Sequence, residues 1–183
     1  MNFYIFCISI GFIIMKRPFF VLILLLFFSC CALSCSNVVF AGRPFTAEVT
    51  KIIDGDSLKV RDGKKVYEIR LYGIDAPEYD QPYSSKAKKL VKKTILGKRV
   101  TVIPIEWDKY HRLVAIVSYH DKAVNERLLR LGLAWYYPKY CKKSVCRSWK
   151  KTEKTARKNK QNIWSDSSSV SPWRWKYNKH KRN

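Results

Sequence analysis

Acidic residues are scarce in this chain. Fourteen Asp and Glu stand against 36 Lys and Arg, for a formal charge of +22. Residues 1–41 hold no Asp or Glu, and Lys16 and Arg17 are their only charges, so the positive excess belongs almost wholly to the remainder. Such an imbalance says nothing about fold. It narrows the partners to polyanions: nucleic acid, anionic lipid or acidic polysaccharide. A protein merely kept soluble by its charge reads the same from composition. Cysteine is also sparse after residue 41, where only Cys141 and Cys146 remain. No second Cys/His cluster completes a zinc site, which argues against structural metal there. No repeat period appears, and 183 residues suit one domain with extensions.

The extensions are legible at both ends. Met15-Lys16-Arg17 reads as a positive n-region, Phe19 to Phe28 as an apolar h-region, and Val39-Phe40-Ala41 as a cleavage site before Gly42. Export with cleavage is expected, placing the protein outside the cell or in the periplasm or envelope. Two alternatives stay open. Residues 1–14 are also apolar, so the segment can act as an uncleaved membrane anchor, and Cys35 in Ala32-Leu33-Ser34-Cys35 can carry a lipid. The chain then divides into a targeting segment (1–41), a domain (42–166) and a basic, Trp-containing tail (167–183). In an oxidising compartment Cys141 and Cys146 are expected to pair, with a gain of roughly 2 kcal/mol in the chain-entropy view. Two free thiols, or half a metal site, are the alternatives.

The domain is organised around Ile52 to Glu78. Short apolar runs end in Asp56, Arg70, Asp75 and Glu78, and Asp62-Gly63 between them signals a hairpin. A hairpin folds its strand ends together, so Asp56 can meet the Asp75–Glu78 turn. Hard oxygen ligands there suit a hard cation, and a nearby arginine suits a phosphate oxygen. Each piece alone has a plainer reading: Asp54-Gly55-Asp56 as a turn, Arg70 as an exposed strand residue.

Further along, Ser84-Ser85 is expected to cap a helix ending near Leu96, and Asn125 a short helix over Glu126 to Leu131. Leu113 to Val117 is continuously apolar, as in a buried central strand. Val145, Trp149, Thr152 and Ala156 form one helical stripe, with Lys143, Arg147, Lys150, Lys154 and Arg157 opposite. Ser165 to Ser169 reads as a flexible linker. The tail stretch Pro172 to Lys176 interleaves aromatic and basic residues. It can stack bases and contact phosphates, or one tryptophan can pack back on the domain.

The ordered set Ile53-Asp54-Gly55-Asp56-Ser57, Arg70-Leu71, Asp75-Ala76-Pro77-Glu78, Asp108-Lys109-Tyr110-His111-Arg112, Asn125-Glu126 and Asn162-Ile163-Trp164-Ser165 resembles the staphylococcal nuclease (thermonuclease) family across roughly Thr46 to Ser165. The resemblance implies an α+β fold: a five-stranded OB-fold β-barrel with about three helices. It implies an exported Ca²⁺-dependent nuclease that hydrolyses DNA or RNA to 3′-phosphate products. By the same resemblance Asp56, Asp75 and the Ala76 carbonyl hold Ca²⁺, Glu78 is the general base, Arg70 and Arg112 clamp the phosphate, and Lys109 contacts it. His111 stands where the family has glycine, and Ala76 where it often has threonine. No protein partner is implied, a monomer is expected, and membrane attachment can come only through the N-terminal segment. The alternative of another class is a non-catalytic OB-fold nucleic-acid-binding protein.

Overall fold

A computed structural model describes residues 42–182. The expectations for the targeting segment, including Cys35, lie outside the described residues. Among the described residues, no helix is long and apolar enough to cross a membrane.

Five strands form the barrel: β1 (Phe45–Ile52), β2 (Ser57–Asp62), β3 (Lys65–Leu71), β5 (Arg99–Trp107) and β6 (Leu113–Tyr119). The short strands β4 (Ile74–Asp75) and β8 (Trp135–Tyr136) pair with each other in a separate sheet, and β7 (Lys122–Ala123) pairs with β6. Sheet order is β3-β2-β1-β5-β6-β7, and β3 also pairs with β6, which closes the barrel. That closing pair is parallel, with Arg70 opposite Val114. The architecture is therefore the OB-fold barrel of an α+β domain. The β2–β3 turn is closed by Asp62 and Lys65, and Gly63 takes φ 55° at its first central position. A tight hairpin of this kind favours glycine there because its twist matches the strands.

Alternation sets what is inside. Ala47, Val49, Leu58, Val60, Ile69, Leu71, Val100, Val102, Leu113, Ala115 and Val117 are all buried, and each large apolar side chain removed from water contributes about 1.5–3 kcal/mol. The apolar run of β6 is thus not buried throughout: Val114 and Ile116 point outward and are only half-buried. A barrel strand has one inner and one outer face, so even an unbroken apolar run obeys the period of two.

Four α-helices are described: α1 (Ser84–Ile95), α2 (Val124–Arg130), α3 (Cys146–Lys158) and α4 (Pro172–Arg182). Helix α1 buries Ala87, Val91 and Ile95. Its N-cap is Tyr83 at φ 69°, not a serine, and no side chain caps it; the Ser84 hydroxyl instead donates to the Tyr79 carbonyl at 2.9 Å. Asn125 is not a cap either. It lies inside α2, fully buried, where its amide donates to the Tyr72 carbonyl (3.0 Å) and its Oδ1 accepts from the Val117 amide (3.1 Å). It joins α2 to the closing strand and to the loop after β3. A buried amide must find such partners or cost about 1–3 kcal/mol.

Helix α3 docks through Trp149, which is fully buried. Ahead of it a disulfide joins Cys141 to Cys146 with a Cα–Cα distance of 5.7 Å. The Tyr72 hydroxyl accepts from the Lys142 and Lys143 amides, at 2.5 and 2.9 Å, and so pins this loop to the strand end. After α3 the serine stretch is tied by hydrogen bonds. Asp166 accepts from the Ser168 amide (2.8 Å) and hydroxyl (2.7 Å), and Ser169 donates to the Ile163 carbonyl. The tail beyond it is helix α4.

Candidate active site

The turn before β2 is built by Asp54, whose Oδ1 accepts the amides of Asp56 (2.9 Å) and Ser57 (2.7 Å). An Asp at this place holds a local turn by bonding the backbone two residues on. Gly55 makes close approach possible: a Cβ there would fall 2.7 Å from the Ala76 Cβ and 2.9 Å from the Ala87 Cβ. The turn therefore lies against both the Asp75–Glu78 segment and α1. That segment is fixed in turn by β8, where Asp75 pairs with Trp135. The buried Glu153 of α3 accepts the neighbouring Tyr136 amide at 3.0 Å, so the helix sets the position of the loop.

Asp56, Arg70 and Asp75 meet at this junction. Arg70 Nη1 lies 3.1 Å from Asp56 Oδ2, and Nη2 donates to Asp75 Oδ1 at 2.6 Å. The carbonyls of Leu71 and Ile74 each accept from Nη1 at 3.0 Å. Asp56 Oδ2 also accepts the Ala76 amide at 2.6 Å. These bonds occupy one side of the guanidinium and leave Nε and one Nη2 hydrogen for another acceptor.

The electrostatics are unbalanced. Burial pushes the Asp56 carboxyl up to about 7, against the pull of Arg70 and with the help of Asp54 and Asp75. Burial likewise raises Asp75 above the usual carboxylate range despite Arg70. For Arg70, burial opposes the charged form, but Asp56 and Asp75 outweigh it and hold the guanidinium above its ordinary value. Two buried carboxylates share one cation, and added positive charge would favour their ionised forms.

A divalent ion fits that demand. Among the described residues, no group of three or more His, Cys, Asp or Glu is arranged to hold a metal. Asp56 and Asp75 bring hard carboxylate oxygens together, the ligand type that Ca²⁺ takes with water completing its shell, and Ala76 meets Asp56 through its amide.

Glu78 lies on the same segment with its side chain 29% exposed. Its amide donates to Gln81 Oε1 at 2.9 Å, and its carboxylate meets the ammonium of Lys176 at 2.8 Å. Arg112 and Lys109 belong to the β5–β6 loop. Asp108 organises that loop, accepting the amides of Tyr110 (2.9 Å) and Arg112 (3.0 Å) and the Arg112 Nε (2.8 Å). Burial alone would raise the Asp108 carboxyl; the hydrogen bonds from Arg112 and Tyr110 hold it below the usual range. His111 takes φ 59°, a left-handed conformation that glycine adopts without strain. Lys109 Nζ stands 5.0 Å over the exposed Tyr110 ring. Among the described residues, no hydrogen bond or ion pair joins Arg112 or Lys109 to the carboxylate cluster.

Two residues at the site, Gln81 and Tyr137, were not singled out in the sequence, and Lys176 was read only as part of the aromatic and basic tail. Gln81 is buried, supports the Glu78 backbone and donates to the Val170 carbonyl at 3.0 Å; the turn Glu78-Tyr79-Asp80-Gln81 was its readable signal. Lys176 lies far from Glu78 in sequence, and no spacing rule could have paired them. Tyr137 stacks flat on Trp173, with centroids 4.8 Å apart and planes 8° apart.

A sequence model of the family described as staphylococcal nuclease homologue matches residues 68–166, a span that includes Arg70, Asp75, Glu78 and Arg112. An uncharacterized endonuclease of Escherichia coli O157:H7 is 36% identical over 132 residues, covering 72% of this chain and 84% of that protein. A micrococcal nuclease of Shigella flexneri is 30% identical over 145 residues, covering 74% of this chain and 83% of that protein. A staphylococcal-like nuclease of Arabidopsis thaliana is 36% identical over 119 residues, covering 65% of this chain and 36% of that protein. On the barrel, the site and these matches together, the chain belongs to the family of staphylococcal nuclease homologues.

Proposed function

We propose that the protein is an exported, Ca²⁺-dependent nuclease that hydrolyses phosphodiester bonds of DNA, RNA or both. The observation that carries the reading is the meeting of Asp56 and Asp75 on Arg70, with Glu78 on the same short segment. Family membership and the relatives described as endonuclease and micrococcal nuclease support the hydrolytic part.

In this reading Asp56, Asp75 and the Ala76 carbonyl hold Ca²⁺, which when bound offsets phosphate charge. Glu78 accepts a proton from water as its oxygen attacks phosphorus. The new P–O bond forms as the bond to the 5′ oxygen breaks. That oxygen takes up a proton from solvent and leaves as a 5′-hydroxyl, and the phosphate stays on the 3′ side. Arg70 presents its unused donors to a phosphate oxygen, and Arg112 offers a planar fork from the β5–β6 loop. Both stabilise charge that grows in the transition state. Lys109 contacts an adjoining phosphate, and the excess positive charge draws the polyanion in.

The test is digestion of single-stranded DNA, duplex DNA and RNA with Ca²⁺, Mg²⁺ or chelator. Cleavage in Ca²⁺ and none in chelator is expected. Tight binding with no cleavage under any ion would instead make the protein a non-catalytic binding module.

A further inference from the structure

Helix α4 lies on the proposed site, and two of its contacts engage groups that a substrate would need. Lys176 Nζ is 2.8 Å from Glu78 Oε1. Two residues beyond Glu78, Asp80 receives the Trp175 indole N–H at 3.0 Å and the Lys179 ammonium at 2.9 Å. Trp173 covers a face of Tyr137, an aromatic surface on which a base could stack. Residues 173, 176 and 179, and likewise 175 and 179, recur at helical spacing, so one side of α4 makes these contacts. Arg174 and Lys181 remain exposed, with no hydrogen bond or ion pair among the described residues.

Resting on the nuclease reading, we propose that α4 is a strap that the substrate must displace, and that this makes the enzyme select long polynucleotides over short ones. An ammonium bonded to Glu78 occupies the carboxylate that must face the attacking water. A flat tryptophan on Tyr137 closes the neighbouring stacking face. Phosphates can take over the lysines, since each is exposed and makes a single carboxylate bond. A long strand reaches Arg174, Lys176, Lys179 and Lys181 together and replaces every partner the strap gives up. A di- or trinucleotide reaches few of them and competes poorly. The strap is thus an intramolecular competitor: it raises KM for short substrates and leaves kcat alone.

The experiment compares the full chain with its Lys176→Met and Trp173→Ala variants on a trinucleotide and on a long single-stranded DNA in Ca²⁺. Because the pair is half-exposed and the stack adds modestly, each variant should raise kcat/KM on the trinucleotide about fivefold through KM. On the long DNA, Trp173→Ala should change kcat/KM by less than about twofold and Lys176→Met should lower it through the lost phosphate contact, so the long-to-short ratio drops in both. Hydrogen exchange of the α4 amides, read without substrate, should quicken in both variants. A fall in kcat on both substrates would mean Lys176 assists the chemistry, and the strap would be wrong. Equal α4 exchange in wild type and variants would also overturn it, even in an active nuclease. Wild type that cuts neither substrate would overturn the nuclease reading and the selection with it, whereas the exchange data would still report whether α4 is docked.

Discussion

Arg70 and Arg112 are offered the same task and are held in opposite ways. Arg70 projects from a barrel strand into two buried carboxylates and two carbonyls, with its side chain 16% exposed. Arg112 projects from a loop and pairs with one carboxylate, Asp108, four residues earlier. The first is part of the fabric that holds the two buried carboxylates together. The second is steered by a local turn that can be lost without opening the core. The difference separates what a residue does for chemistry from what it does for folding, and substitutions at the two positions should show it.

The largest expected effect is shared. Arg70→Lys and Arg112→Lys each keep a charge but lose the planar fork, and each should lower turnover by roughly 10²–10³. Stability should then split the pair. Arg70→Ala leaves Asp56 and Asp75 buried without their cation and should cost about 3–5 kcal/mol. Arg112→Ala should cost about 1 kcal/mol or less. Urea denaturation of both variants reads this directly; equal losses would erase the distinction.

The acidic pocket sharpens the comparison through pH. With its folded value raised to about 7, Asp56 binds its proton more tightly folded than unfolded. Its contribution to stability is full below the ordinary carboxylate range and is lost as pH rises toward 7. The metal-free protein should therefore lose a few kcal/mol, in order of magnitude, between about pH 4 and 7. Ca²⁺ should flatten this slope, and Asp56→Asn should remove most of it. The check is thermal denaturation in chelator across that range. A wild-type slope identical to that of Asp56→Asn would show that the buried carboxyl is not strained.

The smallest effect falls on the loop of Arg112. His111→Gly relieves a left-handed non-glycine residue, a strain of about 1 kcal/mol, while loosening the unfolded chain. Stability should rise by under about 1 kcal/mol, with the Arg112–Asp108 pair intact. A marked loss would show that the His111 side chain supports the loop.

How much of this was legible in the sequence follows from the range of each interaction. Asp56, Arg70 and Asp75 were readable because a hairpin brings near neighbours together, and because motif order carries the family fold. Ser84 and Asn125 were misread as caps. A cap is a local rule, but Asn125 answers to Tyr72 and Val117 across the barrel. The stripe of α3 and its exposed basic ridge were readable from the period of 3.6, whereas the stacking of Arg157 on the Trp164 ring at 3.6 Å was not. Helix α4 was least legible. The stretch before it holds serines, which suggest a linker, and its partners Glu78 and Asp80 lie more than ninety residues away.

Cleavage by this chain should depend on a positioned base, Glu78, beside the carboxylate pair. The direct test is the cleavage rate of long single-stranded DNA in saturating Ca²⁺ by wild type and Glu78→Gln, with circular dichroism to establish equal folding. Glu78→Gln keeps the size of the side chain but removes its proton-accepting charge. Wild type should cleave, and the rate should fall by roughly 10²–10³ in the variant. Equal rates would remove Glu78 from the chemistry, and a folded wild type that binds the DNA without cutting it would contradict the account.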